Sequence, residues 1–361
     1  MINLADYERA AAASLDPAAW GYFAGGADDE ITVRENRAAW DGIAVRFRTM
    51  VDVSVRDTST TVLGTPISFP VLVAPTAMQK LAHPEGELAT VRAAGNAGTI
   101  MCVSTTATTS LEEVRREATG PAWFQLYVYK DRGATKALLE RARESGYSAI
   151  VVTVDAPFLG RRERDVRNAF SLPPHLQLAN ALAAGRPHAH VPRGEGVDSG
   201  LARHLQELHD ATLTHRDLAW IADAARLPVI VKGIVRGDDA LRAVEHGAAG
   251  VVVSNHGGRQ LDTAIATARA LPAVAAALDG RGELLVDGGV RRGTDVLKAL
   301  ALGARAVLVG RPILWGLAVA GQRGVGHVLA LLHGEFDLAM ALAGCRSVAE
   351  ITPDLVATAD K

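Results

Sequence analysis

Gly250-Val251-Val252-Val253-Ser254-Asn255-His256-Gly257-Gly258-Arg259 runs four apolar or small residues straight into a histidine, two glycines and an arginine. An apolar run without alternation marks a strand buried on both faces, as parallel strands covered by helices are. Seven more such runs follow the same rule: Val71-Leu72-Val73, Ile100-Met101-Cys102-Val103, Trp123-Phe124-Gln125-Leu126, Ala149-Ile150-Val151-Val152, Val229-Ile230-Val231, Glu283 to Val286 and Ala306 to Val309. Helical patterns over 86–97, 131–145, 236–246 and 293–302, rich in Ala, Leu, Glu and Arg, fall among them. Eight strand units with helices between predict an α/β fold, a closed (β/α)8 TIM barrel forming one domain over 1–361. Cys102 reads as filling of its interior.

Residues 1–40 read as an N-terminal helical extension, with Pro17 at a helix start and Gly25-Gly26 breaking the pattern before Asp28-Asp29-Glu30. One stretch breaks the rhythm. Residues 173–215, after the fourth run, carry Pro173, Pro174, Pro187, Pro192 and six of the chain's 11 histidines, and read as a long loop or lid. His188-x-His190 lies there without a neighbouring cysteine or carboxylate pattern, so no metal is expected.

Composition narrows the function. The 361 residues, 48% hydrophobic, suffice for a large core, and 38 Lys and Arg against 40 Asp and Glu leave a formal charge of −2. That balance gives no footprint for nucleic acid or an anionic membrane. Cys102 and Cys345 form no C-x-x-C pair, which favours a reducing compartment. The opening residues lack a basic flank and apolar core, and no apolar run approaches the roughly 20 residues that span a bilayer. A soluble cytoplasmic protein is expected.

His256 titrates near neutral pH and can take a proton from a hydroxyl, while Arg259 can grip a planar carboxylate with two parallel hydrogen bonds. The pair suits a 2-hydroxy acid. Taken alone, His256 reads equally well as a helix cap or a satisfied polar residue. In a barrel of this kind, however, residues just after each strand converge on one site. Those positions hold Pro75-Thr76-Ala77, Ser104-Thr105-Thr106, Gln125 and Tyr127, Thr153 and Asp155, Arg162, Lys232, Ser254, Asp287-Gly288-Gly289 with Arg291, and Gly310-Arg311. The glycines and arginines of the last two loops suit a phosphate, so a phosphorylated ligand is expected.

These residues resemble the FMN-dependent 2-hydroxy acid oxidase and dehydrogenase family, the group of glycolate oxidase, lactate oxidase and mandelate dehydrogenase. The resemblance runs from about residue 4 to residue 350, through Pro75 to Gln79, Phe124 to Tyr127, Thr153-Val154-Asp155, Leu159 to Glu163, Val231-Lys232-Gly233, Ser254 to Leu261, Asp287 to Gly293 and Gly310-Arg311-Pro312. It implies FMN as cofactor and His256 as the base that takes the hydroxyl proton while hydride passes from C2 to flavin N5. Asp155 would orient the imidazole and stabilise its cation. Arg162 and Arg259 would hold the substrate carboxylate, with Tyr22 and Tyr127 adding phenol hydrogen bonds. Lys232 would sit by the flavin N1–C2=O edge, where a positive charge favours the anionic reduced flavin. Pro75, Thr76, Ala77, Ser104, Gln125, Thr153 and Ser254 match flavin contacts. Asp287, Gly289, Arg291, Gly310 and Arg311 match the ribityl-phosphate site.

Tyr22 also reads as a packing aromatic and Asp155 as a buried cap, while Arg161 and Arg292 read as ordinary ion-pair residues. Thr106 stands where plant glycolate oxidase carries a tryptophan over the substrate side chain, which implies a roomier pocket. With Ala77 small and Phe158 near Arg162 in sequence, a mandelate-like or medium-chain (S)-2-hydroxy acid is expected. The polar segment after the fourth run favours a soluble oxidase of the EC 1.1.3 type, yielding H2O2 from O2, and the family implies a homotetramer or homo-octamer. The alternatives are a dehydrogenase with a different acceptor and a cofactor-retaining barrel without catalysis.

Overall fold

A computed structural model of the protein describes residues 1–183, 191 and 199–358. Parallel strands β1 (Val71–Val73), β2 (Met101–Ser104), β3 (Ala122–Leu126), β4 (Ile150–Thr153), β5 (Val229–Ile234), β6 (Gly250–Val253), β7 (Glu283–Val286) and β8 (Ala306–Val309) close into a barrel. Each pairs with its neighbour in chain order, and β8 returns to β1 with Val309 opposite Val73. The expected apolar runs are these strands. Side chains alternate about the barrel wall: Leu72, Cys102, Trp123, Val151, Ile230, Val252, Leu285 and Leu308 fill its interior, while Val71, Val251 and Val253 belong to the cluster beneath the helices. An antiparallel hairpin, Thr60–Val62 with Thr65–Ile67, contributes Val62 and Ile67 to the interior cluster.

The expected helices form at Gly86–Asn96, Arg132–Ser145, Gly237–Glu245 and Gly293–Ala301. The N-terminal extension is three helices, α1 (Leu4–Ser14), α2 (Pro17–Ala24) and α3 (Ile31–Asp41). Pro17 takes the first position of α2, and the Asp16 carboxylate caps Ala18 and Ala19. Helix α3 lacks a cap of its own. Asp262, from the loop after β6, accepts from the amides of Ile31 and Thr32 at 3.1 and 2.8 Å. Asn36 and Asn255 exchange two amide hydrogen bonds, both 2.9 Å, so the loop carrying His256 is fastened to α3.

Two expectations change. Residues 173–215 are not one structureless loop, because helices form at Ala179–Ala183 and Gly200–Leu208. Asn180 gives the first a reason to dock: it accepts from the Leu111 amide and donates to the carbonyls of Ser104 and Thr105. His188 and His190 lie outside the described residues. Second, the helix Arg311–Ala343 is by length and composition long and apolar enough to cross a membrane. It carries a kink at Ala320 and Gly321, and Ile313, Leu314, Trp315, Leu317, Val325, Val328 and Leu329 are buried within the molecule.

Candidate active site

His256 adopts a left-handed backbone conformation, φ 57°, immediately before two glycines that also take positive φ. A non-glycine residue there stores strain, and its amide is steadied by donating to Ser254 Oγ at 3.1 Å. Strand β5 carries an irregularity between Lys232 and Ile234, where Gly233 has φ 111° and a Cβ would lie 2.7 Å from the Asp155 Cβ. Glycine is required there, because only the bare backbone lets Asp155 approach. The Asp155 carboxylate then meets His256 Nδ1 at 2.8 Å, and the ring's other nitrogen faces Tyr127 Oη at 3.4 Å.

Electrostatics follow from burial. Desolvation holds the His256 pKa below its ordinary 6.5, against the pull of Asp155, so the imidazole is a neutral base. Burial opposes the Asp155 carboxylate, but His256 and Lys232 outweigh it and hold its pKa below the usual value. The Tyr127 phenol is pushed up to about 12, by burial first and Asp155 second, and remains protonated. Burial also opposes the charge on Lys232, yet Asp287 at 3.2 Å and Asp155 raise its pKa, and it donates to Ser254 Oγ at 2.9 Å.

Above this group the mouth of the barrel is rich in guanidinium. Arg162, Arg259, Arg291 and Arg311 line one pocket together with Tyr22, Tyr127, His256 and Lys232. Arg259 donates to the carbonyls of Tyr22 and Gly25, and Arg311 to those of Phe23, Gly25 and Gly257. Arg162 and Arg259 lie 5.9 and 5.0 Å from the Tyr22 ring, which stacks on Phe170 at 4.5 Å. Arg291 lies over Trp315 at 4.7 Å. Burial pulls Arg259 down to about 10, with Arg162 the next cause, and Arg311 to about 9, with Arg259 and Arg291 next. Arg291 falls to about 10, again first by burial.

The remaining expected residues divide into two layers. Pro75, Thr76, Ala77, Ser104, Thr106, Asp287, Gly289 and Gly310 line the pocket. At Gly289, φ 78°, a Cβ would lie 2.1 Å from the Asn36 carbonyl, so this close approach also needs glycine. Gln125, Thr153 and Ser254 are buried beneath: Gln125 accepts from Ser104 Oγ and the Thr105 amide and donates to Thr153 Oγ1 at 3.0 Å. Phe158 is 58% exposed and absent from the pocket lining, so it does not shape the pocket as its sequence neighbourhood suggested. Arg292 pairs with Glu335 at 3.1 Å, an ordinary ion pair. Leu201, Leu205 and His209 also line the pocket, and no motif in the sequence marks a wall brought in by a helix and the residue that ends it.

A base oriented by a carboxylate, beside clustered cations at the carboxyl ends of barrel strands, is an arrangement for deprotonating a bound anion. The family model of FMN-dependent dehydrogenases matches residues 11–358. The chain belongs to the FMN-dependent dehydrogenase family. Among its relatives, an L-lactate oxidase of Nostoc sp. is 54% identical over 97% of this chain and 96% of its own. Glycolate oxidase 1 of Zea mays is 51% identical over 97% and 94%. A crystal structure of mandelate oxidase with (S)-4-hydroxymandelic acid superposes with a TM-score of 0.94 at 44% identity, covering 99% of this chain and 98% of that one.

FMN is the cofactor of this family member, and the residues present fit it. Arginines whose pKa values are depressed first by burial and then by one another are completed by anions, which a flavin phosphate and a substrate carboxylate supply. Asp287 Oδ1 is buried with no hydrogen-bond partner among the described residues, so an acceptor at the pocket wall is left for a ligand.

Proposed function

We propose that the protein oxidises an (S)-2-hydroxy acid larger than glycolate to the 2-oxo acid, with O2 as electron acceptor and H2O2 as second product. One observation carries the reading: a neutral His256, fixed by Asp155 at 2.8 Å, opens beside Tyr127 onto a pocket lined by Arg162 and Arg259. Arg162 and Arg259 would bind and orient the carboxylate, which places the C2 hydroxyl near His256 Nε2 and Tyr127 Oη. His256 takes the hydroxyl proton, and Asp155 stabilises the resulting imidazolium. Tyr127, held protonated, donates to the substrate oxygen. FMN, when bound, would supply the two-electron acceptor for the C2 hydrogen and the route by which O2 is reduced to H2O2. Arg291, Arg311 and the backbone at Gly289 and Gly310 would hold its phosphate, and Lys232 would sit against the flavin ring edge. Gln125, Thr153 and Ser254, buried below the pocket, would support the ring contacts of Pro75, Thr76, Ala77 and Ser104.

Thr106 and Ala77, both small and on the pocket lining, support the larger substrate, of mandelate or medium-chain size. Buried free Cys102 and Cys345 suit a cytoplasmic location. Exposed Phe47, Met50 and Val55, clustered in one stretch, suit assembly into a homotetramer or homo-octamer. The test is spectroscopic. Anaerobic addition of (S)-mandelate or (S)-2-hydroxyoctanoate bleaches the bound flavin, and admitting O2 restores the yellow colour with one H2O2 per turnover. A flavin that stays oxidised with both acids overturns the reading.

A further inference from the structure

A second cavity, of about 380 Å3, lies behind the acid pocket, and Tyr127, Ala156 and His209 line both spaces. Val128, Val154, Leu213, Leu218, Val231 and Ile234 give it an apolar side, while Thr153, Asp210, Thr214, His215 and Asp239 give it a polar one. Val231 and Ile234 belong to β5 and Leu218 to the helix Asp217–Ala225, so the cavity sits between the barrel and that helix. Of the residues expected from sequence to contact substrate or flavin, only Tyr127 and Thr153 reach it.

His209 is fixed by backbone at this boundary. It follows the helix Gly200–Leu208 and forms an antiparallel bridge with Tyr129. On either side the Lys130 amide donates to the Leu208 carbonyl and the Asp210 amide to the Val128 carbonyl, both at 2.9 Å. Its ring stacks on Tyr127 with centroids 4.6 Å apart and planes 21° apart. The residue is 5% exposed, and its Nε2 is buried without a hydrogen-bond partner among the described residues. Burial, with His204 next, pushes its pKa down to about 4, so the ring is uncharged at neutral pH and compatible with apolar surroundings. An unpaired buried nitrogen is an expensive filler, and the flat ring fits between the two spaces without displacing the Tyr127 phenol.

We propose that His209 is the wall between the acid pocket and the second cavity, and that it sets the upper size of the side chain the enzyme accepts. Thr106 admits side chains beyond glycolate; His209 limits how long a side chain is used efficiently. Removing the imidazole joins the two spaces and lets a long side chain run along the apolar side formed by Val128, Leu213 and Leu218.

This role presupposes the 2-hydroxy acid oxidase reading above, and the two are separable by experiment. Oxidation of lactate or 2-hydroxyoctanoate by the wild-type holoenzyme tests that reading alone. The role of His209 is read only from the ratio of kcat/KM for 2-hydroxyoctanoate to that for lactate. His209→Ala raises this ratio about tenfold or more, whereas His209→Phe leaves it within about twofold of wild type. Adding Leu213→Phe to His209→Ala refills the cavity and returns the ratio toward wild type. Should the alanine variant lose its flavin, His209→Leu is scored by the same ratio. An unchanged ratio in the flavin-loaded variant overturns the proposal, as does an equal fall in kcat on both acids, which would mean that His209 only steadies Tyr127.

Discussion

The interior of the barrel and its carboxyl mouth follow opposite rules. Inside, Leu72, Trp123, Val151, Val252 and Leu285 are wholly buried and apolar, and β6 meets β7 in regular register over four residue pairs. At the mouth, His256 holds a strained backbone, Asp155 and Asp287 each keep one buried oxygen without a partner among the described residues, and burial, with neighbouring arginines next, depresses the pKa of Arg259 and Arg311. The interior satisfies itself, whereas the mouth is completed by ligands. Stability and chemistry are thus separated along one axis, and substitutions in the two regions should fail in different ways.

The largest expected effect is at the mouth. His256→Gln leaves FMN bound and slows flavin reduction by about a hundredfold to ten-thousandfold in anaerobic stopped-flow, because the base is removed while the phosphate site is intact. Reduction at the wild-type rate would remove His256 from its role. Trp123→Ala tests the other region: it costs about 3–5 kcal/mol by denaturant unfolding, while the protein that remains folded in the cold keeps its kcat. A lowered kcat with unchanged stability would erase the division between the two regions.

A smaller effect is expected at Lys232, where the two regions meet. Lys232→Met lowers the flavin reduction potential and weakens binding of sulfite, which adds to N5 and needs the same charge, by about tenfold or more. Unchanged sulfite affinity would count against the placement of this charge. Thr106→Trp shifts preference toward glycolate by on the order of 1 kcal/mol for each substrate methylene the indole displaces, as measured by kcat/KM for glycolate, 2-hydroxyoctanoate and mandelate. If wild type already prefers glycolate, Thr106 does not open the pocket.

The mildest prediction concerns pH. A base works only when unprotonated, and burial lowers the His256 pKa, so the acid limb of kcat/KM shifts to lower pH and activity rises through an inflection below 6.5. Tyr127, at about 12, adds no alkaline limb near neutrality. An inflection above pH 7 in the free enzyme would contradict the sign of the His256 shift.

The barrel was legible because strands buried on both faces must be apolar throughout, and β1, β6, β7 and β8 end where the apolar runs end. The residues at the strand ends were legible for the same reason, since polar groups directly after such runs have few structural uses. What sequence concealed depends on long-range contact. The helices at Ala179–Ala183 and Gly200–Leu208 sit among prolines and glycines, and the first is docked through Asn180 and the Ala179 amide onto residues 104–111. Arg259 and Arg311 could be read as cations, but not as donors to the carbonyls of Tyr22, Phe23 and Gly25, because those carbonyls arrive with α2 from the opposite end of the chain. The mostly apolar sequence of 311–343 likewise hides the kink at Ala320 and Gly321.

Asp262 and Asn255 hold α3 across sequence separations of 230 and 219 residues. On the ribosome, α1 to α3 therefore emerge long before the loop that fastens them, and cannot reach their final place until residue 262 has been made. Tyr22, carried by α2, meets Arg259 only then. A nascent chain stalled short of this loop lacks both the base and the closure of the pocket, so the site begins to exist only once those two distant stretches have met.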